Sequence, residues 1–283
     1  MSDAPADRGD GILETRLVAP AAPAPPTAPG LAVGAVLSRT MRAWWAHALA
    51  FSAMSLAVFA PLLAAGGLFF GWAMGVAEGR QPSPREIAWR AGAFLVAGAA
   101  SLVLSVVQMG AVTYGTVRYL AGERAPPGRM IAVGLRRGLP VVGAWIVVWI
   151  VAVAGMLLFL VPGVMFLVAA CVAVPAAVVE RRGVASAIRR SFELTRGHRW
   201  TLLAAGLVVL VVMWLLSAAV QMSAMLVMAV LPPAHALAVT LLASQLGSAL
   251  FSVLPVVAVA VCYHDLRLAK DGVDTAELAR VFE

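Results

Sequence analysis

The sequence predicts an all-α protein: a polytopic membrane bundle of six transmembrane helices with short cytosolic interfacial helices, built as three repeated helical hairpins. Three observations predict it. Hydrophobic residues make up 62% of the chain and charged residues 12%, against about 45–50% and about 25% in soluble domains. The charges are confined between four blocks, 43–77, 91–117, 138–179 and 200–264, that contain no Asp, Glu, Lys or Arg. Two of those blocks are too long for one crossing. A span needs about 20 residues at ~1.5 Å each, so the ~40 residues of the third block would make a helix twice the depth of the ~30 Å hydrocarbon core.

The elements follow in order. Residues 1–30, with "APAAPAPPTAPG", lack a periodic apolar face and are expected to be a disordered cytosolic tail. No apolar stretch follows a basic start there, so the segment does not read as a signal peptide. The membrane domain covers 31–264, with spans at about 43–74, 91–117, 139–161, 164–179, 200–230 and 235–262. Pro162-Gly163 and Pro232-Pro233 are helix-breaking pairs and are expected to form the tips that fold the two long blocks back. The fourth span is short and is expected to lean on its neighbours. Residues 265–283 form a cytosolic C-terminal segment.

Basic residues set the orientation. With the N-terminus inside, 18 of the 21 Lys and Arg fall on the inner side and three, Arg80, Arg85 and Arg90, on the outer side. The positive-inside rule then places both termini in the cytosol, and twenty Arg against one Lys suggest a GC-rich bacterial genome, hence an inner membrane. Trp44, Trp45, Trp145, Trp200 and Tyr263 are expected at the inner interface, and Trp72 and Trp89 at the outer one. The net charge of +7 gathers between apolar runs, which points to anionic phospholipid and away from nucleic acid. Cys171 and Cys262 form no CxxC pair, and no disulfide framework is indicated.

Six arginines lie in "RRGVASAIRRSFELTRGHRW" (181–200). At 100° per residue, Val184, Ala187, Ile188, Ser191, Phe192 and Thr195 share one face, and Arg182, Arg189, Arg190, Glu193 and Arg196 the other. Two readings fit this helix. It lies in the headgroup plane, where each basic residue contributes on the order of 1 kcal/mol, or it docks on the protein's own spans with its arginines in solvent. Val33, Val36, Leu37, Thr40 and Met41 form a similar stripe, with Ser38, Arg39 and Arg42 facing away. Aligning 32–45, 132–145 and 187–200 on Ala and Trp suggests three copies of one unit: short basic helix, span, outer turn, span.

"PAAVVERRGVASAIRRSFELTRGHRW" (175–200) and "CYHDLRLAKDGVD" (262–274) together resemble the bacterial multi-pass family named for the membrane domain of glycerophosphoryl diester phosphodiesterase. The matching positions are Pro175, Glu180, Ala187, Arg190, Ser191, Leu194, Gly197 and Trp200, then Tyr263, Asp265, Leu266, Arg267, Gly272 and Asp274, with His264 in place of a second aromatic. The resemblance implies a polytopic membrane domain over 31–283 of mostly unassigned function. The phosphodiesterase barrel is a separate soluble domain, and its activity is not carried over.

No HExxH, GxSxG, P-loop or dinucleotide fingerprint occurs. His47, His198, His235 and His264 are too scattered for a metal cluster, and His264-Asp265 reads as a solvated boundary pair. No catalytic, cofactor-binding or metal site is assigned. The spans carry no intramembrane charge of the kind that marks proton-coupled transport. Gln108, Gln221, Gln245, His47 and Tyr114 remain as polar groups for interhelical bonding or a substrate path. Gly67, Gly71 and Gly75 share one helix side and permit close packing.

The leading constellation is polar: Glu180, Arg189, Arg190, Arg196, Asp265 and Arg267. These residues are expected to bind lipid headgroups or to form ion pairs joining the loop helix to the C-terminal segment, with Asp265 meeting Arg190 or Arg196. The expectation is a non-enzymatic, cofactor-free membrane protein that contacts anionic phospholipid or a membrane-protein partner in envelope or lipid homeostasis. The alternative is a transporter or permease-like component, which would show a cavity lined by Gln108, Gln221 and Gln245.

Overall fold

The computed structural model describes residues 32–77, 79–230 and 232–271. The tail expected at 1–30 and the end of the C-terminal segment lie outside these residues. The described residues form α-helices and no strand. In chain order the helices are α1 (Val33–Ala46), α2 (Ala48–Ala77), α3 (Pro84–Leu120), α4 (Pro127–Arg136), α5 (Gly138–Leu158), α6 (Leu160–Ala170), α7 (Ala173–Val179), α8 (Val184–Thr195), α9 (Arg199–Val230), α10 (Pro233–Phe251) and α11 (Leu254–Asp271).

Six stretches are long and apolar enough to cross a membrane: Ala48–Trp72, Pro84–Leu120, Gly138–Leu158, Leu160–Val179, Arg199–Val230 and Leu242–Asp271. Three hairpins result, α2 with α3, α5 with α6–α7, and α9 with α10–α11. A short helix, α1, α4 or α8, precedes each one. The three-unit plan is therefore present. The residue alignment behind it is not in register, because the short-helix-to-span junctions at His47, Arg137 and Arg196–His198 stand at different distances from the aligned alanines. In the middle unit the short helix lies earlier than the aligned segment, at 127–136, where Met130 and Gly134 form the buried side.

Several boundaries move for physical reasons. The first span begins after a break at His47, so residues 43–46 belong to α1. The turn expected at Pro162-Gly163 falls at Phe159, whose backbone is extended at φ −153° and ψ 124°. Pro162 lies in the first turn of α6, where its missing N–H removes no intrahelical bond. Gly163 serves the hairpin instead: a Cβ on the facing Gly155 would stand 3.1 Å from its Cα. Ser83 and Glu86 form a capping box ahead of α3, with Pro84 at the first helical position and Arg80 paired to Glu86. Spans four and six are each two helices, broken at Cys171–Val172 and Ser252–Val253. α11 runs unbroken across the boundary expected at 264/265.

Burial is concentrated at one end. Every residue of α7 is buried, as are Gly110–Arg118 of α3 and Val257, Ala258 and 260–266 of α11. α9, by contrast, exposes Leu207, Leu210, Trp214, Met222 and Met225. Such apolar exposure suits hydrocarbon, which solvates Leu as readily as a neighbouring helix does. Trp45, Trp89, Trp145 and Trp200 are exposed, in keeping with interfacial positions, but Trp44 and Tyr263 are core residues. A Cβ added at Gly67 or Gly71 would meet no other helix within 4 Å. The close approaches are elsewhere, above all where α4 meets α3. A Cβ on Gly110 would lie 2.9 Å from the Cα of Gly134, and one on Gly134 would overlap the Val107 carbonyl oxygen.

Because that obstruction is backbone, Gly134→Ala must push α4 away from α3, at about 1–3 kcal/mol. Thermal unfolding of the purified protein should show the loss, whereas Gly66→Ala, which meets nothing within 4 Å, should leave the transition unchanged or slightly raised.

Candidate functional site

The buried end is also the arginine-rich end. α7 finishes at Val179, and Glu180 follows as its C-cap. The Glu180 side chain is only 7% exposed and needs donors. Arg190 Nε of α8 donates to Oε1 at 3.1 Å, Arg182 Nε to Oε2 at 2.6 Å, and the Tyr263 hydroxyl of α11 to Oε1 at 3.0 Å. Arg267 Nη1 stands 3.9 Å from the same carboxylate and donates to the Tyr263 oxygen at 3.1 Å. Arg190 also pairs with Asp271, which lies 3.7 Å from Arg267. Three helices thus meet on one carboxylate. Lys270 ties α11 to α8 again by donating to the Glu193 carbonyl oxygen.

The structure therefore joins Glu180, Arg190 and Arg267 as expected and corrects the rest. Asp265 meets neither Arg190 nor Arg196. Its partner is Arg39 of α1, with Nη1 at 2.5 Å from Oδ1 and the aspartate side chain fully buried. His264 and Asp265 are both buried, so they are not a solvated pair. Arg189 is 84% exposed and, among the described residues, pairs only with Glu193, at 3.3 Å, and Arg196 is an exposed C-cap. Sequence reasoning missed Arg39, Tyr263 and Asp271 as members of this network. Arg39 stood on the polar side of the α1 stripe, and that position was its one available signal.

α8 is docked, and the break in span four explains how. Interrupting the helix at Cys171 frees the Ala169 carbonyl, which accepts from Ser191 Oγ at 2.8 Å and Thr195 Oγ1 at 3.2 Å. The hydroxyls on the inner face of α8 therefore cap α6, while Ala187 and Leu194 fill the space beside them. Gly143 of α5 admits Val184 at the start of α8.

Among the described residues, Gln108 and Gln221 line two adjoining cavities rather than one. Gln108 donates to Ser55 Oγ at 2.5 Å and lines a cavity of about 320 Å³ with Trp145 and Ser252. Gln221 lines an adjoining cavity of about 230 Å³ with Ser217, Ser244 and Ser248, and Phe59 and Ser252 belong to both. Gln245 lines neither of them. A larger cleft, about 550 Å³, opens at the arginine-rich end between α4 and the segment joining α7 to α8. Arg129, Arg136, Arg137, Arg181 and Tyr114 line it.

Comparison with known families adds one finding. The family described as Domain of unknown function (DUF7847) matches residues 17–266. The chain belongs to that family. The match takes in every helix described above up to the last turns of α11, including Glu180, Arg190 and Asp265. No match was found among curated proteins or solved structures, so family membership carries no assigned chemistry to these residues.

Burial pushes the Glu180 carboxyl up, but the hydrogen bond and charge of Arg190, with bonds from Tyr263 and Arg182, outweigh it and hold the group below its ordinary range. A depressed folded-state value means stability that is complete above the unfolded value, about 4.3, and lost as pH falls through the folded one. Glu180→Gln should cost about 3 kcal/mol at pH 7, the low end for breaking a buried pair. Unfolding curves of the two proteins should approach each other below about pH 4, as the wild-type carboxylate takes up its proton. For the second pair, Arg39→Asp and Asp265→Arg should each lower protein level, and the double exchange should restore part of it.

Proposed function

We propose that this is a non-catalytic multi-pass protein of the bacterial inner membrane that seats its arginine-rich end on anionic phospholipid. Both termini are cytosolic in this reading, and the role is in envelope or lipid homeostasis. The carrying observation is an imbalance of charge. At that end Glu123, Glu180, Glu193, Asp265 and Asp271 are each paired with arginine inside the protein. Arg42, Arg124, Arg129, Arg136 and Arg196 are exposed and join no ion pair among the described residues. The exposed surplus is positive, as contact with an anionic leaflet requires. The exchange of roles is informative: Arg190 and Arg267 are structural, and headgroup contact falls to exposed residues such as Arg189 and Arg196. The resemblance to the glycerophosphoryl diester phosphodiesterase membrane domain supports the same reading, since it implies a membrane module without the catalytic barrel.

A transporter or permease-like component is the second reading, supported by the serine-lined cavity at Gln221. It is weakened because neither cavity is lined by more than one of the three glutamines.

Two measurements test the first reading. In intact cells, an impermeant thiol reagent should label Gln81→Cys and spare Ser186→Cys; the reverse pattern overturns the orientation. Protein purified in nanodiscs of mixed lipid should enrich anionic over zwitterionic lipid around it, and the double variant Arg189→Gln, Arg196→Gln should reduce that enrichment severalfold. Enrichment indifferent to both arginines counts against the reading.

A further inference from the structure

The 550 Å³ cleft lies within the size range of small-molecule sites, about 300–1,000 Å³. Its charge is one-sided. Among the described residues that line it, four are arginines and none is Asp or Glu. Arg129, Arg136 and Arg137 have no carboxylate partner among the described residues. The guanidinium groups of Arg129, Arg136 and Arg137, gathered this way, repel one another unless an anion lies between them.

The scaffold also holds them in place. Arg129 and Arg136 are seven residues apart, two helical turns, and so share one side of α4. The opposite side is fixed against α3 by the Gly110–Gly134 approach and by Met130 seated over Gly115. Arg137 occupies the junction of α4 and α5. Arg181 brings its side chain to the cleft from a backbone at φ +52°, a left-handed conformation that costs a non-glycine residue about 1–2 kcal/mol. Strain of this kind persists where surrounding structure imposes it, and it gathers at ligand sites. Tyr114, 3% exposed, lies at the buried side.

Exposed apolar side chains lie on the same segment outside the cleft lining: Ile131, Leu135 and Leu139 are 45%, 68% and 87% exposed. Such exposure suits a segment at the hydrocarbon boundary, where acyl chains are at hand. We infer that this cleft is a specific site for a lipid headgroup bearing two or more phosphate charges. The inference rests on the membrane reading above and goes beyond it, because it distinguishes one built pocket from general adsorption of the basic end. Arginine suits the task, since its planar fork grips phosphate oxygens in pairs, and basic pockets between membrane helices bind multiply charged headgroups.

The test uses the full chain, delipidated and offered defined lipids, with retention read by native mass spectrometry. The probes are diphosphatidylglycerol with two phosphates, phosphatidylglycerol with one, zwitterionic phosphatidylethanolamine, and inorganic pyrophosphate as the lipid-free source of the same chemistry. One diphosphatidylglycerol should be retained at least tenfold better than phosphatidylglycerol. Arg136→Gln and Arg181→Gln should each abolish that preference, and Arg136→Lys should keep part of it. Ala132→Trp, which fills the cleft without removing charge, should abolish it too and covers the case of a charge variant that fails to fold. Equal retention of the two lipids, or undiminished preference in folded Arg136→Gln and Ala132→Trp proteins, overturns the site. Displacement of the lipid by pyrophosphate at equal concentration assigns the cleft to a soluble phosphate and overturns the lipid assignment. If the preference fails while anionic enrichment still depends on Arg189 and Arg196, only the cleft falls; if both are indifferent to charge, the membrane-surface reading falls with it.

Discussion

A carboxylate at the end of a buried helix organises this fold. Glu180 sits where α7, a helix with no exposed residue, emerges from the bundle. A charge there is tolerable only if its oxygens are saturated by donors. Those donors come from α8 through Arg190, from the joining segment through Arg182, and from α11 through Tyr263. Satisfying one side chain therefore fixes the relative position of three elements. The Arg39–Asp265 pair extends the same logic to α1.

The remainder of the bundle answers to a different solvent. In hydrocarbon, apolar contact between helices has little driving force, so the long arms touch mainly as hairpin neighbours and leave large side chains outward. Specific packing is concentrated at the polar end, where ion pairs, hydroxyl bonds to the Ala169 carbonyl and glycine-mediated approaches coincide. The same feature separates two populations of arginine, one consumed in holding helices together and one facing outward.

The architecture was legible because it rests on patterns local to the chain. Charge-free blocks give spans, and proline pairs mark the blocks that must turn, even though Phe159 makes the actual bend. The α8 wheel placed Ala187, Ser191 and Thr195 correctly on the buried face but omitted the fully buried Leu194, and hydrophobicity alone could not show that Ser191 and Thr195 sit there as donors to a broken helix. Membership of the polar network was only half legible for the same reason. Arg190 and Glu180 are close in sequence, whereas the Arg39–Asp265 pair spans 226 positions and depends on which helices become neighbours. Aromatic residues misled at Trp44 and Tyr263 because a tryptophan or tyrosine near a span end fits a lipid belt and a core equally well by position. The arginine cleft draws on α3, α4 and the α7–α8 joint, and no short stretch of sequence displays it.

The location of Tyr263, 83 residues beyond the carboxylate it serves, bears on how the chain is built. Synthesis delivers the N-terminal portions first. Until the last span arrives, Glu180 lacks its hydroxyl donor, Arg39 has no aspartate, and the short α7 has no α11 beside it. Two hairpins can enter the bilayer early on hydrophobicity alone, yet their polar end stays open. Closure waits for the final helix, so a ribosome that stops early releases a protein that is inserted but unlatched.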